Sequence, residues 1–188
     1  MIGRAALTGH YMPFAVDWAA KMGYDGIWFD LEHRAMDPRE SQAMLAASMA
    51  ADIDVMVRCP FRTERTQLYR YLEDGASGLM FPLTDNREMA EHLVRSAKYP
   101  PIGNRGLDGA DPVAGNGTSV WGPKWGDTYT DQANENTFII VQIETLDAVS
   151  NLEDIISTPG IDGVFIGPGD LSLRLKFSEA GKPEAEKL

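Results

Sequence analysis

The sequence predicts an α/β protein of the (β/α)8 TIM-barrel type, incomplete, with about six of the eight strands present. Three observations lead there. Short apolar runs alternate with amphipathic stretches of about a dozen residues, the rhythm of strand and crossover helix. The runs are apolar at successive positions, as strands of a parallel sheet covered on both faces must be. Several runs end abruptly in a charged group or in glycines, which is how barrel strands deliver chemistry to one rim.

Taken in order, Ala5 to Thr8 is a candidate first strand. Met12 to Met22 reads as a helix, with Phe14, Trp18, Ala19 and Met22 at helical spacing. After a turn at Gly23-Tyr24-Asp25, Gly26 to Leu31 is a strand. Asp37 caps the next helix and Pro38 opens it, running to about Ala51. Ile53 to Arg58 is a strand, and a helix from about Thr63 to Asp74 is ended by Gly75. Gly78 to Pro82 is a strand, Asn86 to Lys98 a helix, Phe138 to Glu144 a strand, Leu146 to Ser157 a helix and Gly163 to Gly167 a strand. No glycine-rich phosphate loop follows an early strand, which disfavours an open dinucleotide-binding sheet. A full barrel takes roughly 250 residues, and this chain has 188. Residues 1–188 therefore read as one partial barrel domain, either a fragment or a barrel short of two strands. The segment 99–137 has neither helical nor strand periodicity and holds seven glycines with Trp121, Trp125 and Tyr129. It is expected near the active-site rim as a lid, binding loop or interface, or else as a surface excursion packing its own aromatics.

Composition narrows the function. With 17 basic and 28 acidic residues the net charge is −11, which argues against nucleic acid and membrane surfaces as partners. No apolar run has the length of a membrane span, and no secretion signal is visible. A lone Cys59 excludes an internal disulfide and suits a reducing, cytoplasmic setting. In that setting the glycosylation pattern Asn116-Gly117-Thr118 reads as chance. Cys59 reads as a small apolar packer.

Four strand ends carry candidate chemistry: Asp30-Leu31-Glu32-His33, Arg58, Glu144, and Gly167-Pro168-Gly169-Asp170. Glu144 and Asp170 lie about one strand-plus-helix unit apart and could converge on Mg²⁺ or Mn²⁺, which take one or two carboxylates and leave room for substrate. Each could equally cap a helix or pair with a basic residue. His33 could serve as a base oriented by Asp30, or be a cap or surface histidine. Arg58 could hold a carboxylate or an oxyanion, or form a structural ion pair across the rim. The glycine-proline-glycine turn could bind a substrate carboxylate through its amides or be only a tight corner.

Together these motifs resemble the HpcH/HpaI aldolase and citrate lyase family. The resemblance rests on Gly26-Ile27-Trp28-Phe29-Asp30-Leu31-Glu32-His33, Val57-Arg58, Tyr99-Pro100-Pro101 with Arg105-Gly106, Val141-Gln142-Ile143-Glu144-Thr145 and Gly167-Pro168-Gly169-Asp170-Leu171-Ser172, in matching order. It implies a class II pyruvate aldolase that reversibly cleaves a 4-hydroxy-2-oxo acid to pyruvate and an aldehyde through a metal-stabilised enolate. By that likeness Glu144 and Asp170 bind a divalent metal, Mg²⁺ or Mn²⁺ first and Co²⁺ or Zn²⁺ as alternatives. Arg58 stabilises the enolate, His33 with Asp30 moves protons, Gln142 supports the site, and the Gly169 and Asp170 amides hold the substrate carboxylate. A homo-oligomer is implied as well. Gly169 stands where many members have Ala, and members continue past the position of Leu188 with two more strands and helices. The alternatives are an acyl-CoA lyase of the citrate and malyl-CoA branch, for which no basic adenine-binding surface is evident, and a catalytically silent truncated barrel.

Overall fold

The computed structural model describes residues 5–60, 64–114, 118–121 and 128–178. Six strands form one parallel sheet in the order of the chain: β1 (Ala5–Thr8), β2 (Gly26–Asp30), β3 (Asp54–Arg58), β4 (Gly78–Phe81), β5 (Phe138–Ile143) and β6 (Gly163–Ile166). Between them run α1 (Pro13–Lys21), α2 (Pro38–Ala50), α3 (Arg65–Glu73), α4 (Arg87–Ala97), α5 (Thr118–Trp121), α6 (Tyr129–Asn136), α7 (Leu146–Ser150) and α8 (Leu152–Ile156), with α9 (Pro168–Phe177) after β6. Among the described residues each strand pairs only with its neighbour in sequence, and β1 and β6 are the two edges.

Pairing register sorts the strand side chains into two sets. Ile27, Phe29, Val55, Val57, Leu79, Phe81, Ile139 and Val141 face the helices and form the main core with Val16, Leu45, Leu68, Leu93 and Val94. The alternate positions face the lumen. There Trp28 of β2 meets Phe165 of β6 edge-on, with ring centroids 4.9 Å apart and planes at 73°. A contact between strands that are not neighbours shows that the sheet curls towards a barrel. On the outer face of β6, Val164 and Ile166 remain exposed.

Local signals act as the sequence suggests. Asp37 and Glu40 make a reciprocal capping box: the Glu40 amide donates to Asp37 Oδ1 at 2.8 Å and the Asp37 amide to Glu40 Oε2 at 2.9 Å. Replacing Asp37 with Ala should cost about 1 kcal/mol, read as a lower urea midpoint at unchanged slope. Gly75 takes φ +118°, and the Ala76 amide reaches back to the Tyr71 carbonyl, closing α3 with a Schellman turn.

The predicted start of α3 at Thr63 lies outside the described residues. The other differences have physical causes. The helix predicted over Leu146–Ser157 is two short helices meeting at Asn151, whose side chain bonds the Asp85 carbonyl. Two helices lack helical apolar spacing. The α6 sequence is almost wholly polar and buries only Tyr129 and Asn134, while the apolar residues of α9 fall every second position and so spread round the helix. Described residues of the segment 99–137 pack at the N-terminal ends of the strands and along α3. Lys98 Nζ bonds the carbonyls of Asn134 and Thr137 just before β5, and the Arg105 guanidinium stacks on Tyr99, 4.5 Å from the ring centre. An insertion between α4 and β5 must start and finish at that end of a parallel sheet. Tyr99, Ala114, Val120 and Tyr129 form a small core of their own there, the surface-excursion alternative.

Candidate active site

The chemical groups gather at the C-terminal ends of β2, β3, β5 and β6. Asp30 and Arg58 are register partners on β2 and β3 and meet side-on: Arg58 Nε donates to Asp30 Oδ1 at 2.9 Å and Nη2 to Oδ2 at 2.6 Å. Arg58 Nη1 lies 3.1 Å from Glu32 Oε2. All three side chains are largely buried, at 11%, 6% and 18% exposure for Arg58, Asp30 and Glu32. A bidentate guanidinium held by two carboxylates has a fixed plane, and the structural ion pair foreseen as one alternative for Arg58 is what forms.

The turn after β2 is built on Asp30. Its Oδ1 accepts the amides of Glu32 at 3.0 Å and His33 at 3.3 Å. Burial alone would raise the Asp30 pKa. The hydrogen bonds from Arg58 and the two amides, with the Arg58 charge, outweigh it and hold the carboxyl below its usual range. Glu32 goes the other way: burial raises its pKa, Arg58 and His33 oppose that, and the nearby Glu144 and Asp30 charges add to it. The His33 imidazole needs a correction. Asp30 touches only its backbone, and the acid beside the ring is Glu32, whose Oε2 lies 3.5 Å from Nε2. The ring is 56% exposed, at the mouth of the site. Glu32 is therefore the residue that the sequence argument passed over. Its signal was the motif itself, in which the acid next to a histidine sits outside the strand alternation and is free to turn towards the ring.

Across the lumen, Glu144 is buried at 3% exposure. Its Oε1 accepts the Leu83 amide at 2.8 Å and its Oε2 the Gln142 side-chain amide at 2.8 Å. Leu83 reaches this geometry with φ +52°, a left-handed conformation that non-glycine residues adopt at a cost. The capping alternative for Glu144 does not hold, since Thr145 Oγ1 caps α7 by accepting the Ala148 amide. Gly167 closes the space over the carboxylate: a Cβ there would stand 2.5 Å from Glu144 Oε2 and 2.8 Å from Glu144 Cβ. Its φ of −87° is open to any residue, so the need for glycine is purely steric. Gly167→Ala should push the carboxylate aside and cost about 1–3 kcal/mol of stability, measurable by urea denaturation.

Asp170 stands in the first turn of α9, about half exposed, with Oδ1 2.7 Å from Arg174 Nη1. The pairing alternative describes its present partner. The first-turn amides of Gly169 and Asp170 have no acceptor within the helix, and a Cβ on Gly169 would meet nothing within 4 Å. That leaves an open surface beside the turn. Cys59 is fully buried and its thiol is pushed well above its ordinary range, so it packs rather than reacts.

Among the described residues no group of three or more His, Cys, Asp and Glu side chains is placed to hold a metal. What the chain offers is a pair of carboxylates. Each Glu144 oxygen accepts one N–H and keeps a lone pair, and Asp170 keeps Oδ2 beyond its bond to Arg174. This donor set suits a hard divalent cation that completes its shell with water and substrate.

A six-stranded parallel barrel sheet whose rim joins a clamped arginine to a buried glutamate matches a known class. Over residues 10–186 the sequence matches the HpcH/HpaI aldolase/citrate lyase family, and the chain belongs to that family. It is 34% identical over 178 residues to the 2-keto-3-deoxy-L-rhamnonate aldolase of Salmonella paratyphi B, covering 93% of this chain. It spans 63% of the length of that relative. An HpcH/HpaI aldolase from Desulfitobacterium hafniense DCB-2 superposes with a TM-score of 0.83 at 31% identity, covering 99% of this chain and 70% of the other. An HpcH/HpaI aldolase/citrate lyase family protein from Burkholderia cenocepacia J2315 gives 0.82 at 32%, covering 98% and 71%. These neighbours are of the TIM-barrel type. No helix among the described residues is long and apolar enough to cross a membrane.

Proposed function

We propose that the chain carries the site of a carbon–carbon lyase that reversibly cleaves a 4-hydroxy-2-oxo acid into pyruvate and an aldehyde. The observation that carries this reading is the pairing of a fixed guanidinium, Arg58, with a buried carboxylate, Glu144, at one end of the lumen, with the exposed His33 ring at its mouth. Kinship with named aldolases supports it.

Members of this family generally depend on a divalent metal ion. Here Glu144 and Asp170 would hold it, and when bound it supplies a Lewis acid for the carbonyl of a 2-oxo acid. The remaining work falls to the chain. Arg58 gives two of its five N–H bonds to Asp30 and keeps Nη1 in an ion pair with Glu32. The N–H bonds left over would serve the oxygen of pyruvate that gains charge as the C3–C4 bond breaks. In that step the 4-hydroxyl gives up its proton, the C3–C4 electrons move towards C2, and the aldehyde leaves. His33 Nε2 moves the proton, and Glu32 beside it stabilises the charged ring. The Gly169 and Asp170 amides would receive the substrate carboxylate.

The test is exchange of the pyruvate methyl protons in D₂O, followed by NMR with Mg²⁺ or Mn²⁺ present and after chelation. Metal-dependent exchange, together with pyruvate release from a 4-hydroxy-2-oxo acid, is expected. A folded protein that exchanges no faster than buffer would overturn the reading.

A further inference from the structure

The two halves of the site lie on opposite sides of the lumen, and the hydrogen-bonded path between them runs through β3, β4 and β5. One side chain takes the short way across. Trp28 precedes Asp30 by two positions on β2 and faces inward with it. The Arg58 guanidinium carbon stands 5.2 Å from the centre of the Trp28 ring. The opposite edge of the contact is Phe165, 4.9 Å away. Phe165 is the register partner of Gln142, and Gln142 donates to Glu144 Oε2. Carboxylates clamp Arg58 in its own plane, so the ring is what meets it from another direction.

We propose that Trp28 is a positioning residue that sets the distance between the Arg58 guanidinium and the Glu144 carboxylate, and so makes the site take a 2-oxo carboxylate as one unit. The inference rests on the lyase reading for the identity of the ligand, but not for the contact itself. A large rigid ring bridges two strands that no backbone bond joins. An aliphatic residue of smaller reach would leave Arg58 held only by its acids and let β6 drift from β2. A phenyl ring would keep both aromatic contacts at slightly reduced area.

The experiment compares the parent with Trp28→Leu and Trp28→Phe. Calorimetry measures Mn²⁺ affinity alone and with saturating pyruvate. In Trp28→Leu, Mn²⁺ alone should bind within about twofold of the parent, while the gain on adding pyruvate should fall by about tenfold or more. Trp28→Phe should restore most of that gain, which a general loss of stability would not do. A Trp28→Leu protein with the parent's full pyruvate gain overturns the proposal. A Trp28→Phe protein as poor as Trp28→Leu also overturns it.

Thermal unfolding without metal supplies a second, activity-independent readout. A double-mutant cycle pairs Trp28→Leu with Arg58→Lys, and another pairs Trp28→Leu with Phe165→Leu. Coupling in both cycles supports the bridge, and additive effects in either overturn it. If the parent shows no pyruvate-enhanced Mn²⁺ binding, the lyase reading fails. The cycles then decide the contact on their own.

Discussion

Replacing Arg58 with Met should destabilise the protein by about 3–5 kcal/mol at neutral pH, because it strands two acids in a largely buried place. Asp30 loses both of its side-chain donors and Glu32 its cationic neighbour, while the Glu144 charge remains close. The loss should depend on pH with a definite sign. In the parent the Asp30 pKa lies below its ordinary value. Its ionised form therefore contributes stability above the unfolded pKa near 4, and the contribution is lost as pH falls through the folded value. In Arg58→Met, burial is left to dominate, so both acids resist ionisation and gain protons more readily in the folded state. The deficit against the parent should be largest near pH 7 and shrink towards pH 4. Urea denaturation of both proteins at several pH values tests this. A deficit independent of pH would mean that Arg58 is not what holds Asp30 ionised.

Glu144→Gln should separate stability from function. The carboxylate accepts two N–H donors, and an amide oxygen can accept from only one side while its NH₂ faces the other. Gln142 offers a remedy. Its Oε1 is buried without a partner, so a flip of its own amide would turn that acceptor to the new NH₂. The variant should therefore unfold within about 1 kcal/mol of the parent. Losing one of the two proposed charged ligands should nonetheless lower Mn²⁺ affinity by at least about a hundredfold, and pyruvate methyl exchange with it. A variant that keeps the parent's metal affinity would remove Glu144 from the metal site. Loss of both metal binding and the folded state would instead point to a carboxylate that the fold itself requires.

Much of the architecture was legible in the sequence, and what was not has common causes. Strands such as Phe138–Ile143 and helices such as Pro38–Ala50 announce themselves through apolar period and caps, which are local properties. The α6 and α9 helices do not, because neither carries an apolar stripe at helical period: α6 is almost wholly polar, and the apolar residues of α9 fall at every second position. At the site, spacing placed acids, a base and a cation at strand ends, but it could not say which of them touch. Spacing offered Asp30 as the acid for His33 and left Glu32 without a role. Side-chain reach decided between them, with Arg58 occupying the first and leaving the second near the ring. Nor could any residue pattern reveal that Leu83 would turn its amide towards Glu144. That depends on a backbone conformation leucine rarely adopts.

The strand order of the sheet has a consequence for how the molecule comes into being. Every strand needs only the one just made before it, so each new unit can dock while the ribosome is still extending the next. Assembly can then proceed as a vectorial process in which the growing edge is always the most recent strand, while the β1 edge stays open. The Trp28–Phe165 contact breaks that pattern, since its two halves are made far apart in time. It is the latch that a growing sheet can close only after β6 emerges, and until then the Arg58 side of the rim waits for its counterpart.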